Sequence, residues 1–314
     1  MQPGTALFAD PRCRGHLAGV HHPERPERFD AVMEGLRKAK LLERLDPLAA
    51  RTAAEAELLL CHTSDYLETA KHDIVAGYHH LTTGDTDITP NSWDLALLAT
   101  GGVLNAVDAV VTGRARNAFC AVRPPGHHAT PTRGMGFCIV NHIAIGARYA
   151  QRRHGLERVL IVDWDVHHGN GTQDIFYTDP SVFFFSTHQW PLYPGTGRAD
   201  ETGAGAGKGC TMNFPFPAGS GRKEILGAIE KSLIPAADHF RPDLVMISAG
   251  FDSRIGDLLG GFTLTDDDFA DLTRAVMAMA EKHAGGRVVS VLEGGYTLSG
   301  LATAAAAHVA TLLS

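Results

Sequence analysis

Short β-rich runs alternate with longer segments of helical period, and no other feature constrains the fold of this 314-residue chain so strongly. The β-rich runs cover 117–122, 158–163, 182–186, 244–248 and 288–292. Helical periodicity covers 92–113, 139–154, 222–239, 266–284 and 298–313. A repeated strand–helix order predicts a parallel sheet with helices on both faces. Because no linker or internal repeat interrupts the pattern, we expect one α/β domain over 1–314, with a glycine-rich surface loop at 194–209.

The balance of charge and the cysteine content argue against several classes of protein. Asp and Glu number 35 against 28 Lys and Arg, a net charge of −7, so no basic surface for nucleic acid or anionic lipid is predicted. The chain has no run of about 18 apolar residues and no basic N-terminal segment before an apolar stretch, so neither a membrane span nor a secretion signal is predicted. The five cysteines form no CxxC pair, which favours a reducing cytoplasm over a disulfide framework. A homo-oligomer is compatible with this composition.

Polar motifs follow four of the five predicted strands. They are RPPGHH at 123–128, DWDVHHGN at 163–170, AGFD at 249–252 and EGGY at 293–296. Ligands of open α/β sheets bind beyond the carboxyl ends of the strands. We therefore expect one cleft to gather all four motifs.

The second of these motifs has an alternation that is typical of metal ligands. Residues two apart in an extended chain point the same way, so Asp163, Asp165 and His167 share one face. Asp252, from another strand end, supplies a ligand from outside this segment. Three protein ligands leave a fourth position open for water, as a catalytic zinc site requires. Two carboxylates and one imidazole also suit Fe²⁺, Co²⁺ or Mn²⁺. Each residue alone is more often a solvated loop residue or a helix cap, but together they favour a metal site.

The candidate acid–base and oxyanion groups lie in tight turns. Two prolines and a glycine precede His127 and His128 and hold these side chains in a stiff loop. Tyr296 follows two glycines, whose turn can present its phenol to a substrate carbonyl oxygen. A lone histidine is more often structural, and a lone tyrosine is as often packed in a core, so only their grouping indicates catalysis.

Taken together, the motifs resemble those of the histone deacetylase family. The matching strings are RPPGHHA (123–129), GFC (136–138), DWDVHHGNGTQDIF (163–176), SAGFDSRIGDLLGG (248–261) and LEGGY (292–296). DWDVHHGNGTQ is similar to the class II branch. The similarity runs from HPERPER at 22–28 through EAELLLCHTSDYL at 55–67 to the last predicted helix. It implies the arginase/deacetylase fold, a single eight-stranded parallel sheet sandwiched between helices, and a single deacetylase catalytic domain.

The resemblance also implies roles for individual residues. Zinc would be held by Asp165, His167 and Asp252, and the catalytic groups would be His127, His128, Tyr296, Asp163 and Asn170. In this scheme Asp163 hydrogen-bonds His127, and Asn170 hydrogen-bonds His128. A structural potassium ion would be bound by Asp163, Asp165, His167, Ser186 and Thr187, mostly through backbone oxygens.

The same resemblance implies a substrate tunnel. The carbonyl of Gly136 would accept the hydrogen of the substrate amide, and Phe137 and Tyr193 would flank the acyl-chain tunnel. Leu259 stands where polyamine-selective eukaryotic members place an acidic gatekeeper, which weakens a polyamine assignment. Arg28 matches an arginine of the product-release channel, although a surface arginine at a helix start explains it equally well. Asp257-Leu258 replaces the Asp-Pro of many relatives, so the rim of that loop is expected to differ.

The predicted reaction is metal-assisted removal of acetyl or other short acyl groups from acylated amines, with Nε-acyl-lysine in a peptide or protein as the first choice of substrate. Acetylpolyamines and other small acyl-amines are the alternative. A binuclear manganese ureohydrolase on the same fold would need more aspartate ligands and no oxyanion tyrosine, so the residues disfavour it. A catalytically silent acyl-lysine-binding scaffold would keep the pocket and show no turnover.

Overall fold

One eight-stranded sheet forms the centre of the computed structural model, which describes residues 4–314. Its strands are β1 (Thr5–Phe8), β2 (Leu45–Pro47), β3 (Asn117–Cys120), β4 (Val159–Asp163), β5 (Val182–Gln189), β6 (Thr211–Phe216), β7 (Leu244–Ala249) and β8 (Val288–Leu292). They lie in the order β2-β1-β3-β8-β7-β4-β5-β6, and every neighbouring pair is parallel. The predicted α/β fold with a single parallel sheet is confirmed.

Helices connect the strands and cover the sheet. They are α1 (Glu27–Lys38), α2 (Glu55–Leu58), α3 (Ser64–Val75), α4 (Ser92–Val111), α5 (His142–His154), α6 (Asn170–Phe176), α7 (Arg222–Ala228), α8 (Ile234–Phe240), α9 (Asp266–Ala284) and α10 (Leu298–Leu312). A π-helical turn, Ile229–Leu233, joins α7 to α8. In one layer α4 packs against α5, and in another α10 packs against α1 and α9. Strands buried on both faces are almost continuously apolar, as β4 and β7 are here.

The helix boundaries follow from local sequence signals, as α9 illustrates. The Thr265 hydroxyl caps the first turn by accepting from the Asp268 backbone N–H, and the Asp268 carboxylate accepts from the Thr265 N–H in return. Three aspartates in the first turn and Lys282 and His283 in the last turn complement the helix dipole. Gly285 ends the helix in the left-handed conformation that glycine adopts without strain.

By length and composition alone, α4 could span a membrane, with a mean hydropathy of 1.5. In the structure 72% of that apolar window is buried, and the helix packs against β1, β3 and β8. A core helix that lies on a sheet is apolar for the same reason, because most of its surface contacts other elements. Packing inside the protein therefore accounts for the apolar character of α4.

Candidate active site

The candidate active site lies beyond the carboxyl ends of β3, β8, β7 and β4, which are neighbours in the middle of the sheet. The four polar motifs follow these four strands directly. Because the carboxyl ends of parallel strands meet at one edge, the topology brings together motifs that are up to about 170 residues apart. The order of the strands, which the sequence does not state, thus explains why one cleft contains them all.

Asp165, His167 and Asp252 form a compact group that could hold a metal ion. One ligand atom from each lies within 4.8 Å of the other two, and all three side chains are buried. His167 Nδ1 is 3.0 Å from Asp165 Oδ1 and 3.2 Å from Asp252 Oδ2. Backbone N–H groups orient the carboxylates: Gly294 donates to Asp165 Oδ2 at 2.8 Å, and Val166 donates to Asp252 Oδ1 at 2.9 Å.

The chemistry of this group fits a divalent cation. Burial, together with the charge of Asp165, raises the pKa of Asp252 to about 7, because two carboxylates in a dry site repel each other. A cation between them removes that cost. Two carboxylate oxygens and one imidazole nitrogen also match a catalytic zinc site, in which three protein ligands leave a position open. A Cβ at Gly294 would overlap the Asp252 and Asp165 carboxylates, so only glycine allows the loop to pass this close.

His127 and His128 lie side by side with their ring centroids 4.0 Å apart. The Nδ1–H of His127 donates to Asp163 Oδ2 at 2.9 Å, and the Nδ1–H of His128 donates to Asn170 Oδ1 at 2.8 Å. The two imidazoles therefore have different partners, a carboxylate for His127 and a neutral amide for His128. Both side chains are almost fully buried, which magnifies the effect of this difference.

The partners drive the two imidazoles towards opposite protonation states. Burial disfavours a charge on His127, but the carboxylates of Asp163 and Asp165 outweigh burial and raise the pKa of His127 well above its ordinary value. Burial and the positive charge of His127 lower the pKa of His128 well below its ordinary value. At neutral pH the site thus contains one imidazolium and one neutral imidazole whose Nε2 is free to accept a proton.

Tyr296 is 4% exposed and contacts this site from the turn after β8. Burial raises its pKa well above the ordinary value, so its hydroxyl stays protonated and can donate. The turn is held from two sides. Asp257 Oδ2 accepts from the Tyr296 backbone N–H at 2.7 Å, and Arg28 Nε donates to the Gly295 carbonyl at 2.6 Å. The Arg28 guanidinium also lies 4.9 Å from the centre of the Tyr296 ring.

A cavity of about 310 Å³ leads to these groups. Its walls are formed by Asp85, His128, Gly136, Phe137, His167, Leu192, Tyr193, Leu259 and Tyr296. The tunnel residues expected from the sequence, Gly136, Phe137, Tyr193 and Leu259, all line it. Arg28 does not: it is fully buried behind Tyr296, so the surface-arginine explanation of Arg28 is wrong. Gly136 has a φ of 56°, and a Cβ there would overlap the His128 ring.

Sequence reasoning missed a buried ionic cluster behind the site. Glu24 accepts hydrogen bonds from Arg28 at 3.0 Å and from Arg123 at 2.5 and 2.8 Å, and all three side chains are fully buried. Burial opposes the charge of Glu24, but Arg123 outweighs burial and lowers the pKa of Glu24 to about 2. Arg28 then reaches the tyrosine turn, while Arg123 begins the histidine loop. Glu24 therefore links the histidine loop to the tyrosine turn. The arginines of HPERPER and RPPGHH were the only sequence signal of this cluster.

Two further carboxylates near the site were also missed. Glu293 accepts from the backbone N–H groups of Gly126 at 2.7 Å and His127 at 3.1 Å, and burial raises its pKa to about 7. The Glu293 carboxylate thus holds the backbone of the histidine loop in place. Asp85 lines the mouth of the cavity, where Oδ1 accepts from the Gly136 N–H at 2.9 Å and from the Tyr193 hydroxyl at 3.2 Å. Glu293 begins the EGGY motif, but the motif did not indicate this role, and no sequence pattern distinguishes Asp85.

The side chains expected at a potassium site lie on β4 and β5. Ser186 pairs with Asp163 in the register of these two strands, and its hydroxyl is 2.9 Å from His188 Nδ1. Thr187 is buried, and its hydroxyl has no hydrogen-bond partner among residues 4–314. The potassium site stays a prediction.

Comparison with known proteins identifies the family. The Histone deacetylase domain family matches residues 22–312. The chain belongs to the histone deacetylase family. This membership confirms the prediction of an amide-hydrolysing deacetylase. Among residues 4–314, Asp165, His167 and Asp252 are the one group of three or more His, Cys, Asp or Glu side chains that could hold a metal ion.

Relatives of the family come from archaea, bacteria and animals. The chain is 43% identical to a probable deacetylase of Archaeoglobus fulgidus over 91% of this chain and 79% of the relative. It is 39% identical to the histone deacetylase-like amidohydrolase of Pseudomonas aeruginosa over 93% and 82%. Identity to the human polyamine deacetylase HDAC10 is 42% over 98% of this chain, which spans only 46% of the human protein.

A solved structure confirms the fold of the family. The crystal structure of the HDA15 HD domain superposes with a TM-score of 0.92 at 39% identity. The match covers 99% of this chain and 89% of the other. The arginase/deacetylase fold expected from the sequence is therefore confirmed over the described residues.

Proposed function

We propose that this deacetylase hydrolyses the amide of Nε-acyl-lysine, releasing a short carboxylic acid and the free amine, with one zinc ion at Asp165, His167 and Asp252. Water supplies a hydroxyl to the acyl carbon and a proton to the leaving nitrogen. Fe²⁺ or Co²⁺ suits the same donor set. The observation that carries the proposal is that His128, His167 and Tyr296 all line one cavity, so base, metal ligand and oxyanion donor can face the same amide.

The electrostatics of the histidines support a division of roles. A zinc ion supplies Lewis-acid activation of the amide carbonyl and of water. Neutral His128 directs its Nδ1–H at Asn170, so its Nε2 lone pair is available to take a proton from water. Cationic His127, held by Asp163, offsets negative charge that develops on the substrate. A protonated histidine then returns a proton to the leaving amine.

Tyr296 and Gly136 act on opposite ends of the amide. The protonated phenol of Tyr296 donates to the carbonyl oxygen as that oxygen becomes negative, which stabilises the transition state more than the ground state. The Gly136 carbonyl accepts the amide hydrogen and orients the substrate. Phe137 and Tyr193 line the cavity and exclude water from the bound substrate, and the dry cavity strengthens each of these interactions.

Acetylpolyamines are the second candidate substrate. The human relative carries the name polyamine deacetylase, and the Asp85 carboxylate at the cavity mouth suits an ammonium group. Leu259 argues the other way, because this wall of the cavity is apolar rather than acidic. A potassium ion near Ser186 and Thr187 and a cytoplasmic location are further proposals; the five free cysteines are compatible with a reducing compartment.

The test gives a panel of acetylated amines to the zinc-reconstituted protein and measures the acetate that hydrolysis releases. We expect turnover of a peptide that contains Nε-acetyl-lysine and inhibition by a hydroxamate, which chelates the open metal position. The Tyr296→Phe variant serves as the matched protein control, because it removes one hydroxyl from an otherwise unchanged cavity. Binding of acetyl-lysine peptides without release of acetate from any substrate would instead indicate the non-enzymatic scaffold.

A further inference from the structure

Two side chains of opposite charge, Asp85 and Arg133, lie at and beside the mouth of the catalytic cavity. Asp85 lines that cavity and also lines a neighbouring open depression of about 360 Å³. Arg133 lines the same depression, together with Thr82, Thr83, Gly84 and Met135. Asp85 therefore lies between the catalytic cavity and a depression whose wall carries Arg133.

Both groups keep part of their binding capacity free. Asp85 uses Oδ1 for the Gly136 N–H and the Tyr193 hydroxyl, while Oδ2 has no hydrogen-bond partner among residues 4–314. Arg133 uses Nε for the Thr83 carbonyl at 2.9 Å, and its two terminal nitrogens face no carboxylate within salt-bridge distance in the described chain. One carboxylate oxygen and one guanidinium edge are thus available to a ligand.

The backbone holds these two groups in fixed positions relative to the tunnel. The Thr130 N–H donates to the Arg133 carbonyl at 2.9 Å, and the Gly136 N–H holds Asp85 from the same loop. Gly84 passes so close to the Gly134 carbonyl that a Cβ at 84 would overlap it. The loops that carry the two charges therefore pack directly against each other and against the tunnel wall.

The Tyr193 side chain connects the catalytic floor to the mouth of the cavity. The Tyr193 ring centroid lies 5.2 Å from the His128 ring centroid, and its hydroxyl is 3.2 Å from Asp85. One tyrosine therefore spans the distance from the catalytic histidine to the mouth. A lysine side chain places its α-carbon roughly 6 Å from its ε-nitrogen. With its acylated ε-nitrogen at the catalytic floor, a lysine would direct its α-carbon towards Asp85, next to the depression that Arg133 lines.

We propose that this mouth recognises the free α-amino acid end of Nε-acyl-lysine, with the α-ammonium at Asp85 and the α-carboxylate at Arg133. The inference rests on the proposed function and narrows its substrate to the free amino acid. An amino acid within a peptide has neither free charge. A polyamine offers a second ammonium but no carboxylate, so Arg133 repels it. A simple anion fits less well, because Asp85 repels it. The next carboxylate in the sequence, Asp87, has its Oδ2 atom 3.8 Å from Nε2 of His22.

The test compares two substrates that differ only by the carboxylate, Nε-acetyl-lysine and N-acetylcadaverine, with the zinc-loaded enzyme. We expect kcat/KM to favour the amino acid by about fivefold, the magnitude expected for one solvent-exposed ion pair. Arg133→Ala should raise KM for Nε-acetyl-lysine, leave kcat near its original value and bring the ratio close to one. Arg153→Ala removes another exposed arginine, at the end of α5, and should keep the wild-type ratio.

The possible failures separate the inference from the proposed function. Equal kcat/KM values for both substrates in the wild type, or a preference unchanged by Arg133→Ala, would overturn recognition of the carboxylate. Turnover of an acetyl-lysine peptide without turnover of free Nε-acetyl-lysine would overturn it as well and leave the proposed function standing. No acetate from any of the three substrates would contradict the proposed function and, with it, this inference.

Discussion

The floor of the catalytic cavity and its mouth are built in different ways. The floor consists of side chains directly beyond the four central strands, and its histidines and carboxylates are buried and hydrogen-bonded. The mouth consists of loop residues, among them Asp85 and Leu259. Near Leu259 the same loop exposes two large apolar side chains, Ile255 at 51% and Leu258 at 68%. A substitution in the floor therefore disturbs buried hydrogen-bonded groups, whereas a substitution in the mouth mostly changes the side chains that are exposed to solvent and incoming substrate.

The difference between floor and mouth indicates which residues determine the reaction and which determine the substrate. Buried polar networks tolerate little change, because a removed partner leaves another buried group unpaired. Loop residues at a rim can vary at little cost in stability. The two departures from the family pattern lie in one loop outside the floor: Leu259 lines the mouth, and Leu258 is exposed beside it. We infer that the floor sets the reaction and the mouth sets the substrate.

The largest effect is expected from Asp252→Ala, which removes one of the three proposed metal ligands at the floor. The two remaining ligands cannot close the site, so bound metal and activity should be lost together. Metal analysis of the purified variant and an acetate-release assay check this. Asp267→Ala, on the exposed first turn of α9, is the control and should keep both. Full activity of Asp252→Ala would show that the ion is bound elsewhere.

The two histidines should differ, although both belong to the floor. His128→Ala removes the proposed base and should lower kcat on the order of 10⁴-fold, whereas His127→Ala should lower it on the order of 10²-fold. Asn170→Asp gives His128 a carboxylate partner, which stabilises its imidazolium and raises its pKa. Since the base must be neutral, the acidic limb of the pH–rate profile should move to higher pH. Equal losses from both alanine variants, with an unmoved limb, would show that the roles are assigned wrongly.

Tyr296→Phe tests the oxyanion donor. The hydroxyl acts mainly in the transition state, so we expect kcat to fall on the order of 10²–10³-fold with little change in KM. Steady-state kinetics on an acetylated amine measure both constants. The ring that packs against Arg28 is retained, so thermal stability should change little and serves as the check on folding. Near-normal turnover would reduce Tyr296 to a packing residue.

The smallest effect is expected at the mouth. Leu259→Glu places a carboxylate in the cavity wall, so KM for the cation N-acetylcadaverine should fall by about fivefold while kcat stays nearly constant. Leu258→Glu adds the same charge to the same loop at a residue that does not line the cavity, and should have little effect. A large change in kcat with Leu259→Glu would break the separation of floor and mouth.

Much of the fold could be predicted from the sequence. Long apolar runs such as β4 and β7 are unmistakable, and five of the eight strands were expected. The structure adds β1, β2 and β6, which the sequence did not reveal. β1 has four residues, β2 has three and ends in Pro47, and β6 contains Pro215. β2 and β6 are the two edge strands, where proline is tolerated because one side of the strand is unpaired.

The site was predictable where its residues share a local spacing, and not where they pair over long distances. Asp165 and His167 alternate on one extended segment, so their common face follows from geometry. Glu24 meets Arg123 across 99 residues, and nothing local in either segment indicates that contact. Asp85 lies in a loop without any periodic pattern. Its position at the mouth depends on how that loop packs against Gly136, which only the folded chain defines.

The most direct test of the metal-dependent floor is a zinc titration in which enzymatic activity is measured at each step. The protein is stripped with a chelator, and acetate release from an acetylated amine is measured against equivalents of Zn²⁺ per chain. We predict no activity without metal, a linear rise, and a break at one equivalent, because Asp165, His167 and Asp252 provide a single site. A break at two equivalents would indicate a binuclear centre. Full activity of the stripped protein would contradict the assignment of a metal-dependent floor.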